Sequence, residues 1–179
     1  VGETDNVYLG GYPGPLRALA GIWAEEIDAL APEQTNTVRF TDGTTAKCRI
    51  VCDLIHTEGA ESLASYASDF YEGMPAVTRN AYGSGITYYL ATDMDETGIA
   101  KVLDCAMEDG NVTAVIAEPT QLEITKRTTE AATYYFVMNF RDEAAPLPAS
   151  LGGKLDLLTG KQTEAGELMN KFDVKIIQE

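Results

Sequence analysis

Basic residues are scarce in this chain: 13 Lys and Arg stand against 28 Asp and Glu, a formal net charge of −15. Phosphate-binding surfaces draw affinity from basic groups, so this balance argues against nucleic acid and anionic lipid as partners. The acidity reads as a solvated surface. No apolar run reaches the ~20 residues that a membrane-spanning helix needs. The start has neither a basic n-region nor an apolar h-region, so it is not read as a signal peptide. It also lacks an initiator Met, and reads as a point inside a longer protein.

Histidine occurs once and cysteine three times. Three thiols cannot all pair with one another, and buried reduced thiols in a cytoplasmic protein are the favoured reading. Cys48 and Cys52 flank an apolar run, with His56 just beyond. A zinc site needs roughly four ligands at workable spacing, and this set does not supply them. No metal and no cofactor is therefore expected.

The chain has 179 residues, 45% of them hydrophobic and 23% charged, the balance of a globular protein forming one domain or two small ones. The half up to residue 110 mixes helix and strand. Leu16, Leu19, Ala20 and Trp23 follow helical spacing after Pro13 and Pro15, and Gly21 ends that short helix. Residues 22–30, 37–40, 46–55 and 63–67 read as extended, with a turn at residues 41–43. Residues 76–80 and 86–91 flank a Gly-rich turn, and the second run reads as a strand covered on both faces. Ile99, Val102, Leu103, Ala106 and Met107 form one helical stripe, capped by Asp93 or Asp95 and ended at Gly110. A buried strand feeding an amphipathic helix is the unit of a layered α/β sheet.

Beyond residue 118 the pattern becomes all strand: residues 122–127, 133–140, 154–158 and 172–178, separated by turns. This predicts a small antiparallel β-sandwich or barrel. The boundary falls near residues 110–118, with domains over 1–112 and 118–179.

Candidate chemistry is plentiful in residue types and poor in pattern. Glycoside hydrolysis normally uses two carboxyl groups roughly 5–9 Å apart. Glu25, Glu26, Asp28, Asp53, Glu58, Glu61 and Asp69 are available, yet none sits in a pattern that demands catalysis. Cys105 with His56 could form a thiolate–imidazole pair. Cys105, however, lies mid-helix among Asp104, Glu108 and Asp109, which oppose thiolate formation. The run Gly10–Pro15 precedes a helix, but Pro13 and Pro15 remove donors that a phosphate cradle would need. Asn111, Val112 and Thr113 match a glycosylation sequon without a secretory context. His56 reads as the partner of a nearby carboxylate or carbonyl, and Trp23 as core.

Together these segments resemble a known family. Residues 9–16 (LGGYPGPL), 19–30 (LAGIWAEEIDAL), 53–61 (DLIHTEGAE), 66–71 (YASDFY), 75–80 (PAVTRN) and 83–92 (GSGITYYLAT) are similar to the trimerisation domain of family 42 β-galactosidases. Residues 122–127 (LEITKR), Asn139 and 156–160 (DLLTG) resemble their small C-terminal β domain. The resemblance implies a parent subunit of three parts: a (β/α)8 barrel, a trimerisation domain with an amidotransferase-like (flavodoxin-like) α/β layered fold, and a β domain. It implies that the barrel holds two glutamates that cleave terminal β-D-galactosides with retention. Both lie upstream of this chain, so no catalytic, cofactor or metal residue is expected within it. The first strands of the trimerisation domain are expected upstream too, leaving a sheet edge that invites self-association. Two other readings stay open: a stand-alone carbohydrate-binding module using Trp23, Tyr66, Tyr71 and Tyr82, and an amidotransferase-like enzyme using Cys105.

Overall fold

The computed structural model describes Asn6 and residues 9–179. They fall into two compact units, one ending at Val112 and the other running from Thr113 to Glu179. Every strand pairing among the described residues is antiparallel.

The first unit begins with the short helix α1 (Arg17–Ala20), which ends at Gly21 in the left-handed region (φ 64°). A side chain at Gly21 would meet Asn80, whose amide donates to the Leu19 carbonyl at 2.8 Å. The expected helix is thus real but stops before Trp23. Seven strands follow: β1 (Ile22–Ala29), β2 (Asn36–Phe40), β3 (Thr45–Thr57), β4 (Glu61–Tyr66), β5 (Pro75–Tyr82), β6 (Gly85–Leu90) and β7 (Thr92–Met94). Their order is β1-β3-β2-β4-β5-β6, with β7 returning to β3. Only Ala91 separates β6 from β7. Its N–H bonds to the Ala76 carbonyl of β5 at 2.9 Å, and its carbonyl accepts the Asp53 N–H of β3 at 2.7 Å. The chain therefore passes from one side of the sheet to the other, and the sheet curls closed around Val38, Ala46, Leu54, Tyr66 and Val77.

Strand β3 serves different neighbours along its length. Asn36 of β2 lies opposite Cys48, and Ala29 of β1 lies opposite Val51. The change of partner falls at a bulge where Ile50 has φ 69°. A β-branched residue in that region is strained, and the two flanking ladders hold it there.

Helix α2 (Glu96–Asp109) is capped by Asp95, whose carboxylate accepts the Gly98 N–H, and Gly110 follows its end. It packs on the sheet through Gly98 and Val102, its only buried residues. A Cβ at Gly98 would come within 2.9 Å of Ala46 and Met94. This close approach rotates the apolar stripe away from the core. Of the expected apolar stripe Val102 is buried in the core, while Ile99, Leu103 and Met107 are 36%, 56% and 44% exposed.

The layered α/β arrangement is therefore met only in part: a helix lies on a sheet, but the sheet is antiparallel. The expectation for residues 86–91 also needs correction. β6 pairs only with β5, and Ile86 and Leu90 are exposed. Its apolar continuity comes from Tyr88 and Tyr89, whose hydroxyls reach Asp109 and Asp53.

The second unit contains β8 (Glu123–Thr128), β9 (Thr133–Met138), β10 (Ala145–Pro146), β11 (Leu155–Asp156), β12 (Lys161–Gln162), β13 (Leu168–Met169) and β14 (Val174–Gln178). They form a five-stranded sheet, β12-β11-β14-β9-β8, and the pair β10-β13, around Val137, Leu147, Leu151, Met169 and Ile177. Buried Asn139 ties its loops together. Its amide donates to the Glu143 and Met169 carbonyls at 2.9 and 2.8 Å, and its oxygen accepts the Arg141 N–H at 2.9 Å.

Two substitutions test the packing of the first unit. Gly98→Val, which overfills the helix–sheet contact, should cost about 1–3 kcal/mol in denaturant unfolding. Thr78 of β5 is fully buried, and its hydroxyl is the one buried side-chain polar atom without a partner among the described residues. Thr78→Val should leave stability unchanged or raise it by about 1 kcal/mol.

Candidate functional site

The acidic residues singled out from the sequence are engaged in local structure and do not converge. Glu25 bonds His56 at 2.7 Å, and Glu58 forms a two-pronged pair with Arg17. Asp28 accepts the Tyr71 hydroxyl at 3.0 Å, and Asp53 accepts that of Tyr89 at 2.5 Å. Glu61 lies 3.9 Å from Arg79, Asp69 accepts the Phe70 N–H at 2.7 Å, and Glu26 is exposed on β1.

Cys105 is half-buried on α2, and no hydrogen bond joins it to His56. His56 instead stacks on Trp23, ring centroids 4.7 Å apart and planes 16° apart, because β1 and β3 place the two residues opposite each other. The Arg17 guanidinium lies 5.8 Å from the same indole. This ladder of Arg17, Trp23 and His56 was invisible in the sequence, because strand register creates it. Tyr66 and Tyr71 are buried edge to face at 4.9 Å, while Tyr82 is exposed. The four aromatics proposed for sugar contact therefore do not line one groove. The Gly10–Pro15 run is a turn: the Gly10 carbonyl accepts from Arg17, and the Gly11 carbonyl accepts the Gly14 N–H at 2.9 Å. Among the described residues, no group of three or more His, Cys, Asp or Glu is placed to hold a metal ion.

A concave surface of the first unit lies along the exposed flank of α2. It has a volume of about 670 Å³, and its apolar wall is formed by Cys48, Met94, Ile99, Ala100 and Leu103. Lys47, Arg49, Asp95 and Glu96 edge it, and Arg49 pairs with Asp93 at 2.9 Å. An exposed apolar surface of this size is the kind that can receive apolar groups of a second molecule. The sequence signal was the apolar stripe itself, which core packing explained equally well.

Two ionic clamps hold α2 in place. Lys101 pairs with Asp42 at 2.6 Å, and Arg79 grips Asp109 through contacts of 2.6 and 2.7 Å, joined by the Tyr88 hydroxyl. Asp109 sits at the helix C-terminus, where the helix dipole disfavours a negative charge. Arg79 offsets this. The Arg79 and then the Tyr88 hydrogen bonds hold the Asp109 pKa down to about 2, and Lys101 chiefly does the same for Asp42.

Residues 1–113 match the β-galactosidase trimerisation domain, and residues 121–179 match the β-galactosidase C-terminal domain. The chain belongs to the family 42 β-galactosidases. It is 41% identical over 179 residues to the β-galactosidase LacA of Lactobacillus acidophilus, covering 99% of this chain and 26% of that protein. It is 35% identical to the β-galactosidase Pbg of Clostridium perfringens, over 99% of this chain and 27% of that one. The crystal structure of β-galactosidase from Bacillus circulans sp. alkalophilus superposes with a TM-score of 0.85 at 37% identity, over 98% of this chain and 27% of that one. The chain thus spans about a quarter of the length of these relatives. Its antiparallel β architecture is shared with the Bacillus circulans structure. In this family-42 chain the α2 flank falls within the segment that matches the trimerisation domain.

The depressed carboxyl groups set a pH window for α2. A carboxyl whose folded pKa lies below its unfolded value stabilises the fold above about pH 4 and stops doing so as pH falls through about 2. Acid titration followed by helical circular dichroism should therefore show α2 loosening within that window. Asp109→Asn together with Asp42→Asn should reduce that pH dependence, and the Asp95 cap, also held low by backbone N–H groups, should supply what remains.

Proposed function

We propose that this chain is the non-catalytic assembly portion of a β-galactosidase that hydrolyses terminal non-reducing β-D-galactosides with retention. The observation that carries the reading is the ordered match of residues 1–113 and 121–179 to the trimerisation and C-terminal domains, in a chain about a quarter as long as its relatives. On this reading residues 1–112 are the later portion of the trimerisation domain and residues 118–179 are the small β domain. The strands that complete an amidotransferase-like layered fold lie upstream, as do the two catalytic glutamates, which retention requires about 5 Å apart. The parent works in the cytoplasm and needs no cofactor. Galactoside meets only its barrel.

The role of this portion is self-association. The α2 flank is the surface we assign to it, with a second copy as the occupant. Pairing through the β1 edge is disfavoured, because Glu26 and Asp28 place charge along it. The trimerisation name of the matched domain and the exposed Ile99, Leu103 and Met107 support this choice.

Two measurements test the reading. The chain alone should not hydrolyse a chromogenic β-galactoside, and measurable turnover would overturn the non-catalytic assignment. In sedimentation at rising concentration the chain should self-associate, and Leu103→Asp should shift the equilibrium toward monomer by at least tenfold, or about 1.4 kcal/mol. A strict monomer, or a Leu103→Asp protein that associates like the parent, would sink the assignment of the surface.

A further inference from the structure

Cys48 and Cys52 stand four residues apart on β3, where a regular strand would separate their Cα atoms by roughly 13 Å. The bulge removes most of that distance. Across the ladder Cys48 lies opposite Met94 and Cys52 opposite Thr92, so four residues of β3 span two residues of β7. Residues two apart on a strand share one face and lie about 6.6 Å apart, within the 4.4–6.8 Å Cα span that a disulfide bridges. The left-handed Ile50 absorbs the excess chain. Both sulfurs point into the interior: the residues are 1% and 0% exposed, and the Cys52 sulfur lies 3.6 Å from the Thr92 hydroxyl.

We propose that Cys48 and Cys52 form an oxidisable dithiol that closes to a disulfide within β3 when it meets a hydroperoxide. In a chain whose α2 flank is uncovered, access comes through the groove beside α2, whose wall includes Cys48. The hydrogen bond between the two thiols lowers Cys52 to about 6 and, with burial, raises Cys48. Cys52 is thus the thiol favoured to ionise and attack, and Cys48 the one that keeps its proton. The thiolate attacks one peroxide oxygen and breaks the O–O bond, giving a sulfenic acid and an alkoxide (hydroxide, for hydrogen peroxide), which takes back from solvent the proton that Cys52 gave up and leaves as alcohol or water. The second sulfur then attacks the first and expels hydroxide, which leaves as water with the remaining thiol proton. Two electrons pass from the sulfurs to the peroxide, and two thiols become one disulfide. Cys105, half-buried on α2, has no such partner.

The sequence supplies a clean readout, because Arg49 stands between the two cysteines. Trypsin cleaves there, so an internal disulfide appears as two joined peptides. The folded chain is treated with hydrogen peroxide, alkylated under denaturing conditions, digested and weighed. The expected result is a fall from three alkylatable thiols to one, a linked Cys48–Cys52 peptide pair lighter by two hydrogens, and alkylated Cys105 in the same sample. The Cys105→Ser protein should still lose two thiols, while Cys48→Ser and Cys52→Ser should form no linked pair. Three remaining thiols, a bridge that includes Cys105, or sulfinic acid on a single cysteine would each overturn the proposal. The wild-type digest decides the matter even if a β3 variant fails to fold.

Discussion

The first unit depends on the two hydrogen bonds of one alanine. A sheet edge leaves a row of unpaired backbone groups, and buried ones must find partners. Ala91 gives its N–H to β5 and its carbonyl to β3, so the strand that ends one side of the sheet begins the other. The Tyr66 hydroxyl, deep in the core, donates toward the Asp53 and Ala91 carbonyls at 3.2 and 3.0 Å and braces the same junction from inside. Closure in turn demands that β3 change partners midway. The strained Ile50 is the local cost of that demand, and it is borne because the ladders on either side share it.

Much of the local structure was legible in the residue pattern. Alternating apolar residues and the Thr41–Gly43 turn placed β2 and β3 to within two residues, and the Gly83 turn located the hairpin of β5 and β6. A cap at Asp93 or Asp95 and a stop at Gly110 bounded α2, and the structure selects Asp95. What stayed hidden depends on distant partners. Nothing in the composition of β3 signals a bulge, because a β-branched residue in the left-handed region has no sequence mark. Nor could periodicity tell which side of α2 meets the sheet. Gly98 decided that, by admitting the closest approach one position away from the stripe. In the second unit, the two-residue strands β10, β12 and β13 are too short for alternation to register.

The candidate sites sorted by the same logic. Carboxylates read from the sequence as surface charge or backbone partners bond side chains instead: Glu25 to His56, Glu58 to Arg17, Asp28 to Tyr71. The aromatics were harder to read. Tyr66 and Trp23 look alike in a hydrophobic plot, yet one is sealed in the core and the other lies under an imidazole at the surface. Family membership then added what geometry could not, a context in which an acidic protein with a bare apolar helix flank makes sense. The net charge keeps much of the remaining surface solvated.

The Trp23–His56 stack has a consequence for watching this protein at work. The chain contains one tryptophan and one histidine, and they meet only because β1 and β3 hold one alignment. A one-residue slip between those strands would send the two rings to opposite faces of the sheet. Indole emission is thus a gauge of strand alignment at a single rung, readable without any attached label.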